Sequence, residues 1–431
     1  MLAASRTRRL ARLAGTAALL ATWIAPSALA EPAAANNVAN PAHIQIVESV
    51  PKASEYGQPG VPRTPDVWLD MIEHAEHSID IAAFYVTNKA GEALAPILNA
   101  LAKRARAGVS VRILTGPTFE KPTRNSLAPL ADLDHVAIRV LPMDRLTGGV
   151  AHAKYFVVDG RSAFLGSANW DWRAMDQIHE IGARIDSRRL ARTLDAVFAF
   201  DWAIAAEGDL PAARRRAVKP PDFDPVTRAA PEIVADDRGR PSGTAFAAFS
   251  PPALMPGWVT PEQSALVELI DSARQRVRVQ VMTLSAINEY GPKGYWAKLD
   301  TALRDAAARG VAVQIIVADW ALREPMQAYL KSLTVLPNLT VKYSHVPAAP
   351  SGFIPYARVE HCKYAVADND QVYIGTGNWT RSYFEASIDA SIFMHAPQAA
   401  HTLNAIFERD WQDDNVHDLN QGTDYPPPRN H

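Results

Sequence analysis

Two stretches of this chain share one pattern: HAKYFVVDGRSAFLGSAN occupies residues 152–169, and HCKYAVADNDQVYIGTGN occupies residues 361–378. Both place His, Lys, Asp, Gly, Ser or Thr, and Asn at the same internal spacing, and the second copy follows 209 residues after the first. A single His-x-Lys with a downstream Asn is weak evidence for a site, but two complete copies are strong evidence. The two copies predict one composite site made by two similar halves.

The repeat extends beyond these motifs. LDAVF at 194–198 recurs as LNAIF at 403–407, again 209 residues later. Upstream, a Gly-Val-x-Val segment and a Thr-Pro-acid segment also recur, at smaller offsets of 202 and 196. Offsets that change in steps are expected when insertions collect in loops. The chain is therefore predicted to be an internal duplication.

Each half has strand and helix patterns in alternation, which favours an α/β fold. Each is expected to contain a helix with a Thr N-cap and Pro at its first position, and a second helix that ends at Gly108 or Gly310 in a left-handed conformation. The predicted strands are 43–50, 79–85 and 109–114 in the first half, and 244–249, 277–284 and 311–317 in the second.

The N-terminus has the composition of a secretory signal peptide. Several arginines precede an apolar stretch at 13–25, which ends in a small-x-small pattern before Glu31. That stretch is shorter than the ~20 residues that span a bilayer, although an uncleaved anchor is the alternative. We therefore expect export through a cleavable signal peptide to a periplasm or the medium. The predicted organisation is signal peptide 1–30, disordered segment 31–42, first lobe 43–211, connector 212–243, second lobe 244–420 and tail 421–431.

Composition sets broad limits. With 48% hydrophobic and 21% charged residues, the 431-residue chain is ordinary for a globular protein. Its net charge of −2 gives no global basic field, so charge alone does not indicate nucleic-acid binding. A lone cysteine excludes an intramolecular disulfide framework.

The motif residues suit phosphate chemistry. His152 and Lys154 lie two positions apart in an apolar run, so they are predicted to share one face of a strand, as are His361 and Lys363. Glycine then allows close backbone approach, and Ser or Thr and Asn supply neutral donors. Lysines can offset phosphoryl charge, as metals do elsewhere. We predict no metal and no cofactor, with one histidine attacking phosphorus and the other protonating the leaving oxygen.

This pattern resembles the signature of the phospholipase D superfamily, His-x-Lys, four residues, Asp, six residues, Gly-Gly/Ser-x-Asn, with Thr376 standing where Ser is usual. The resemblance covers about residues 43–419. It implies two similar α-β-α sandwich lobes, an active site at the lobe interface, and a metal-free reaction through a phosphohistidine. Segments 166–182 (GSANWDWRAMDQIHEIG) and 354–364 (IPYARVEHCKY) look like the branch of mammalian lysosomal 5′ exonucleases and poxvirus envelope phospholipase-like proteins.

The residues expected to act catalytically are the two His-Lys-Asn sets: His152, Lys154, Asn169, His361, Lys363 and Asn378. We expect His152 to be the nucleophile and His361 the general acid, although the pseudo-symmetry makes them nearly interchangeable. A histidine nucleophile needs an acceptor that orients its other nitrogen. Candidates for that task are the acidic residues 11 positions after each motif Asn, Glu180 and Asp389, with Glu385 as competitor. The remaining supporting residues are Ser167, Thr376, Asp159 and Asp368, of which the two aspartates are expected to hold turns.

Four aromatic residues follow the motifs and are predicted to stack bases, to line a lipid groove or to pack in the core: Trp170, Trp172, Trp379 and Tyr383. By resemblance, the leading substrate is the 5′ end of single-stranded nucleic acid. This chain lacks the relatives' cysteines, and its N-terminus looks cleavable rather than a membrane anchor. The alternatives are a phospholipase D acting on lipid head groups with peripheral membrane contact, and a non-catalytic membrane-associated scaffold. The sequence does not specify the oligomeric state.

Overall fold

The computed structural model describes residues 41–207, 222–288, 293–426 and 428–429. The predicted signal peptide 1–30 lies outside the described residues, as does the predicted disordered segment up to residue 40. The strands of the first half are β1 (His43–Ser49), β2 (Ser78–Ala82), β3 (Val86–Thr87), β4 (Ser110–Thr115), β5 (Val136–Val140), β6 (Tyr155–Val158), β7 (Ser162–Gly166), β8 (Trp170–Asp171) and β9 (Glu180–Asp186). Its helices are α1 (Thr64–Glu73), α2 (Leu94–Arg106), α3 (Glu120–Ala131), α4 (Met143–Leu146), α5 (Trp172–Asp176) and α6 (Arg188–Glu207).

The second half repeats this plan. Its strands are β10 (Glu232–Ala235), β11 (Pro241–Ser250), β12 (Thr260–Pro261), β13 (Arg276–Val281), β14 (Ala312–Ala318), β15 (Leu339–Ser344), β16 (Lys363–Ala367), β17 (Gln371–Gly375), β18 (Asp389–His395) and β19 (Val416–Asp418). Its helices are α7 (Glu262–Ser272), α8 (Ala297–Ala308), α9 (Met326–Leu333), α10 (Arg381–Glu385) and α11 (Pro397–Trp411), with a 3₁₀ turn at Asp319–Ala321.

The duplication is visible in strand order. Among the described residues the first half forms a seven-stranded sheet in the order β1-β9-β7-β6-β2-β4-β5. The second half has β11-β18-β17-β16-β13-β14-β15 in the equivalent places, with β10 and β19 added at the edges and β12 paired to β11. In both halves a parallel trio follows from strand-helix-strand connections, and the other strands of the shared order pair antiparallel. The short strand β12 pairs with β11 in parallel. The predicted α/β fold with two similar lobes is confirmed.

The alternating faces of the strands build the layers. In β6, Tyr155 and Val157 belong to a core shared by both lobes, whereas Phe156 packs with α1, α2 and α3 on the opposite face. In β16, Tyr364 joins the shared core, while Ala365 packs on the side of α7 and α8. The shared core also contains the buried faces of α6 and α11. The two sheets are therefore joined by continuous apolar packing between their facing sides, which fixes the position of one sheet relative to the other.

Several local predictions need correction. Thr64 is the first residue of α1, and its buried hydroxyl has no hydrogen-bond partner among the described residues. In the second half Pro261 is the residue before the helix, and the Thr260 hydroxyl accepts a hydrogen bond from the Arg228 backbone instead. Neither threonine caps its helix. By contrast, Gly108 and Gly310 have the predicted positive φ, 97° and 88°.

The predicted connector and tail also contain structure. Residues 212–221 lie outside the described residues, but β10 forms within 212–243 and pairs with β11. In the predicted tail, Tyr425 exchanges hydrogen bonds with the Gln327 side chain and packs against Tyr343. The strands predicted at 79–85 and 277–284 end earlier, at Ala82 and Val281. None of the described helices is long and apolar enough to cross a membrane.

Candidate active site

Both motif histidines lie where the two lobes meet. His152 comes three residues before β6, and its backbone N–H donates to the Ile388 carbonyl of the other half at 2.9 Å. His361 comes two residues before β16, and its N–H donates to the His179 carbonyl at 2.9 Å. The backbone of each motif histidine is thus hydrogen-bonded to the residue directly before an acidic strand of the opposite half, β18 or β9. The structure brings the two motifs together at the lobe interface.

The carboxylates contact the histidines crosswise. His152 Nδ1 lies 2.8 Å from Asp389 Oδ1, and His361 Nδ1 lies 2.7 Å from Glu180 Oε2. Each histidine therefore has its orienting carboxylate on the other lobe, and neither half contains a complete pair. Glu385, the competitor, contacts Arg381 and Trp296 instead.

Burial sets the protonation of this site. It lowers the pKa of His152 well below its ordinary value, and the nearby Lys154 adds to this. Burial also lowers the pKa of His361, but there the Glu180 carboxylate acts in the opposite direction. Asp389 has its own pKa raised to about 7 by burial, against the attraction of Lys154. The neutral imidazole is therefore favoured more strongly at His152 than at His361.

The two lysines lie in the same buried site. Lys154 and Lys363 are 1% and 0% exposed, and each Nζ donates to the backbone carbonyl of its motif histidine, at 2.5 and 2.7 Å. Burial lowers the pKa of both ammonium groups, that of Lys363 to about 8. Two buried cations at one place are costly unless an anion is bound. The arrangement suits a phosphate.

The asparagines and hydroxyl groups divide between two tasks. Asn169 and Asn378 are both buried, and their side-chain carbonyl oxygens have no hydrogen-bond partner among the described residues. The hydroxyl groups of Ser167 and Thr376, which we predicted as donors to a ligand, are hydrogen-bonded within the protein. The Ser167 hydroxyl donates to the Ile181 carbonyl at 3.1 Å, and Thr376 Oγ1 donates to Asp389 Oδ1 at 2.6 Å. Thr376 thereby supports the carboxylate that orients His152, and Ser167 supports β9.

The motif aspartates hold turns, as expected. Asp159 has a φ of 54°, and its carboxylate accepts hydrogen bonds from three successive backbone N–H groups, those of residues 76–78. Asp368 has the same φ and accepts from the N–H groups of residues 274–276. Each aspartate fixes the loop between a helix and the strand that follows it, β2 in the first half and β13 in the second.

Aromatic rings surround His152. The rings of Phe84 and Tyr383 lie 4.7 and 4.6 Å from its imidazole, centroid to centroid. Phe84 also lies 5.3 Å from Lys154 Nζ, and its ring contacts Phe119, which is 53% exposed. Of the four predicted aromatic candidates, Tyr383 lines the site, whereas the three tryptophans are buried in the core. Sequence reasoning missed Phe84 and Phe119, because nothing in their local pattern relates them to a motif 68 and 33 residues away.

Behind His361 lies a cluster that sequence reasoning also missed. His179, Glu360 and Cys362 place potential metal ligands within 4.8 Å of one another. However, His179 Nδ1 already contacts Glu360 at 2.6 Å, and burial raises the pKa of the Cys362 thiol well above its usual value. A metal needs a thiolate and a neutral imidazole. The cluster therefore fits an ion pair better than a metal site.

A cavity of about 130 Å³ adjoins the site on the side of the second lobe. Asn378, Tyr383, Met282 and Met326 form part of its wall. It offers room next to the phosphate-binding groups for one neighbouring part of a substrate.

Comparison with known proteins agrees with this geometry. The family model described as "Cardiolipin synthase, PLD-like domain" matches residues 68–202 and 266–411. The chain is 34% identical over 421 residues to "5'-3' exonuclease PLD3" of Rattus norvegicus, covering 89% of this chain and 82% of the relative. It is 33% identical over 416 residues to "5'-3' exonuclease PLD4" of Mus musculus, covering 89% and 80%.

Two solved structures share the fold. The phosphatidylserine synthase of Haemophilus influenzae Rd KW20 superposes with a TM-score of 0.58 at 11% identity, covering 82% of this chain and 85% of that chain. The polyphosphate kinase of Porphyromonas gingivalis gives a TM-score of 0.51 at 13% identity, covering 90% of this chain and 51% of that chain. At such low identity the likeness concerns the fold alone.

Proposed function

The chain belongs to the phospholipase D superfamily and is a phosphoric diester hydrolase, and on that basis we propose that it degrades single-stranded nucleic acid from the 5′ end. The observation that carries this proposal is the similarity, over most of both chains, to relatives named as 5′-3′ exonucleases. The aromatic rings beside His152 support the proposal. Phe84 contacts His152, and the exposed ring of Phe119 contacts Phe84. Such side chains can stack on unpaired bases of any sequence.

The geometry supports a two-step reaction through a phosphohistidine. His152, held at Nδ1 by Asp389, attacks phosphorus with Nε2. As the P–N bond forms and the P–O bond breaks, His361 transfers its proton to the leaving oxygen. Lys154, Lys363 and the two motif asparagines hold the phosphoryl oxygens. Water then attacks phosphorus with His361 taking its proton, which releases His152 and the phosphorylated product.

The assignment of roles follows from the surroundings of the two rings. His152 has the more strongly lowered pKa and is the better neutral nucleophile, whereas Glu180 favours the protonated form of His361 that a general acid needs. No step of this scheme requires a metal or cofactor.

The lipid alternative has less support. A site for acyl chains calls for an apolar rim around the cleft. Among the exposed large hydrophobic residues that the structure describes, Phe119 is the one whose ring contacts Phe84 at the site. The scaffold alternative is disfavoured because both His-Lys-Asn sets and both orienting carboxylates are in place.

One side-by-side assay tests the substrate. The chain from Glu31 onward is incubated in EDTA with single-stranded DNA bearing a 5′ hydroxyl and with phosphatidylcholine vesicles, with His361→Ala as the blank. We expect stepwise loss of nucleotides from the 5′ end and no chelator effect. Choline release with intact DNA would replace the nuclease proposal by the lipid one, and activity that EDTA abolishes would contradict the metal-free scheme.

We also propose that the protein is exported, on the strength of the charged, apolar and small-residue zones of residues 1–30. N-terminal sequencing of the protein from its natural compartment tests this, with Glu31 as the expected first residue. A mature chain that starts at residue 1 or 2 would contradict cleavage.

A further inference from the structure

The two catalytic halves are equal in their motifs but not in what lies behind them. His179 and Glu360 form a parallel bridge between the halves, next to the His361–Glu180 pair. The positions related to them by the 209-residue offset are Ile388 and Ala151, which form the equivalent bridge next to His152 and Asp389. A buried ion pair therefore lies next to His361, whereas two apolar side chains lie next to His152.

The buried pair is held in a closed set of contacts. His179 Nδ1 lies 2.6 Å from Glu360 Oε2, and its Nε2 lies 3.0 Å from Glu48 Oε1. Because both ring nitrogens face carboxylates, both carry protons and the imidazole is charged. Burial alone would lower the pKa of His179, but Glu360 and Asp410 raise it to about 10. His179 is therefore a permanent cation, not a proton shuttle, at physiological pH.

Further groups complete the charge balance across the lobes. Gln280 Nε2 donates to Glu360 at 2.9 Å and to Asp410 at 2.7 Å, both in the second lobe. Glu48, in β1 of the first lobe, also accepts from Arg63 at 2.7 Å and from Arg409 of α11 at 3.0 Å. The acids Glu48, Glu360 and Asp410 are thus matched by His179, Arg63 and Arg409. Arg409 Nη1 has no hydrogen-bond partner among the described residues, but both ring nitrogens of His179 and both carboxylate oxygens of Glu360 have one. Buried groups that are satisfied in this way hold each other in fixed positions.

The network is connected directly to His361. The Cys362 backbone N–H donates to Glu360 Oε1 at 2.9 Å, and His361 N–H donates to the His179 carbonyl at 2.9 Å. The His179 N–H in turn donates to the Val359 carbonyl at 3.1 Å. The residues on both sides of His361 are therefore fixed to the residue that precedes Glu180 in β9. The backbone hydrogen bonds have counterparts at His152 and Ile388 in the other half, so the contact specific to this half is the one from Cys362 to Glu360. Through it the ion pair holds the residue next to His361.

We propose that His179 and Glu360 are positioning residues that hold His361 in its proton-donating orientation, and that this buried ion pair gives two equivalent histidines their different roles. The inference rests on the proposed phosphohistidine reaction. Within that reaction it assigns protonation of the leaving group to His361 of the second half. Its physical basis is that proton transfer needs the donor within hydrogen-bond reach of the leaving oxygen.

The dependence of rate on the leaving group tests the proposal. The p-nitrophenyl ester of thymidine 3′-phosphate and the dinucleotide TpT present the same phosphoryl group, but p-nitrophenol leaves as a stable anion and needs no acid. For Glu360→Gln we expect kcat/KM on TpT to fall on the order of 10²-fold, the lower range of general-acid effects, with kcat/KM on the chromogenic ester within about threefold of wild type. The ratio kcat/KM is compared because it reports formation of the phosphohistidine and not its hydrolysis, in which His361 acts on both substrates. Asp389→Asn, which disturbs the nucleophile, is expected to slow both substrates alike.

Two controls separate this role from a structural one. Ile388→Val changes the equivalent position behind His152 and is expected to leave the ratio of the two rates unchanged. The double variant His179→Gln/Glu360→Gln removes both charges together and leaves no unpaired buried ion. It therefore provides folded protein if Glu360→Gln does not fold. Melting curves of both variants decide which one is assayed. The same selective loss on TpT is expected from it.

Equal losses on both substrates, or no loss on either, would overturn the proposal. A loss on the chromogenic ester alone would overturn it too, because neither the general acid nor the nucleophile acts on that ester alone. A wild-type protein that is inert on both esters would count against the proposed function and not against the network. Turnover of both esters without degradation of single-stranded DNA would count against the polymer substrate only.

Discussion

The protons of the site are distributed unequally between two residues of the same type. His152 and His361 both contact a carboxylate through Nδ1, but Asp389 has a pKa raised to about 7, and it also accepts the Thr376 hydroxyl. Glu180 receives no such hydroxyl from Ser167, whose Oγ bonds the Ile181 backbone. This local difference predicts which histidine is neutral and which one donates a proton.

The pH profile should reflect His361. The general acid must be protonated, so kcat/KM is expected to fall as pH rises through the pKa of His361, which burial lowers from its ordinary value. Glu180→Gln removes the carboxylate that raises this pKa, so the alkaline limb should move to lower pH. His395→Gln, which removes an exposed histidine, should leave the limb in place. A limb that stays unchanged in Glu180→Gln would contradict the assignment of His361.

Phe119 should matter for polymers more than for small esters. Loss of a stacking platform costs about 1–3 kcal/mol per base, so Phe119→Ala is expected to raise KM for an oligonucleotide roughly tenfold and to change little on the chromogenic ester of thymidine 3′-phosphate. Phe353→Ala, at an exposed ring that contacts Arg429, is the matched control. Equal effects of Phe119→Ala on both substrates would show that the ring does not bind the strand.

Motif spacing was sufficient to find the residues that converge, including the carboxylates 11 positions beyond each Asn. It could not show that Glu180 orients His361 and Asp389 orients His152, because the crossing depends on how the lobes pack. His179 and Glu360 were not recognised either. In the sequence, His179 directly precedes Glu180 and Glu360 directly precedes His361. A single ionisable residue beside a predicted site residue cannot be distinguished from ordinary surface charge.

At the scale of elements, the turns after β6 and β16 are the best-defined parts of the motif. A carboxylate that accepts three backbone N–H groups is hard to replace, so Asp159→Ala or Asp368→Ala should lower the free energy of unfolding by about 1–3 kcal/mol. Activity per folded molecule should stay near wild type, since neither aspartate reaches the site. Urea unfolding and active-site titration measure the two quantities.

Asparagine at the same positions is the matched comparison, because it tolerates a positive φ and keeps one acceptor oxygen. Asp159→Asn should therefore lose less stability than Asp159→Ala. A large fall in kcat without a fall in stability would mean that Asp159 acts in catalysis.

Element types were predicted better than element ends. Alternating apolar residues located the strands, and glycine located the ends of α2 and α8. The threonine caps failed because Thr64 enters its helix and Thr260 pairs in a short strand beside β11. Such choices are decided by contacts between elements, which a local pattern does not contain.

At the scale of the whole molecule, buried ionisable groups predict greater stability on the acid side. Burial raises the pKa of Glu262 to about 8 and that of Asp389 to about 7, and the acids around His179 raise its pKa to about 10. For a raised pKa the stabilising contribution is complete below the unfolded value and is lost as pH rises through the folded value. The free energy of unfolding should therefore decrease between pH 5.5 and pH 8.5.

Glu262→Gln tests this dependence. The variant removes one of the responsible protons, so the decrease between the two pH values should shrink by about 1–3 kcal/mol in urea unfolding. Asp66 occupies the equivalent position in the first half and is exposed, so Asp66→Asn should leave the decrease unchanged. A wild-type protein that is more stable at pH 8.5 would contradict the prediction.

The duplication predicted the architecture of the molecule, since both sheets have the same strand order. It did not predict β10 and β19 at the sheet edges, or that α6 and α11 contribute to one core shared by the lobes. These features arise where the halves differ in sequence. The shared core matters for function because the catalytic pairs are made between lobes.

The central claim is that the reaction proceeds through a covalent adduct on His152. The wild-type enzyme is mixed with the p-nitrophenyl ester of thymidine 3′-phosphate, quenched during turnover, digested with trypsin and analysed by mass spectrometry. The two histidines fall in different peptides, residues 146–154 and 359–363. We expect a thymidine phosphoryl group on His152 in the first peptide. The same group on His361, or turnover with no adduct on either peptide, would contradict the account.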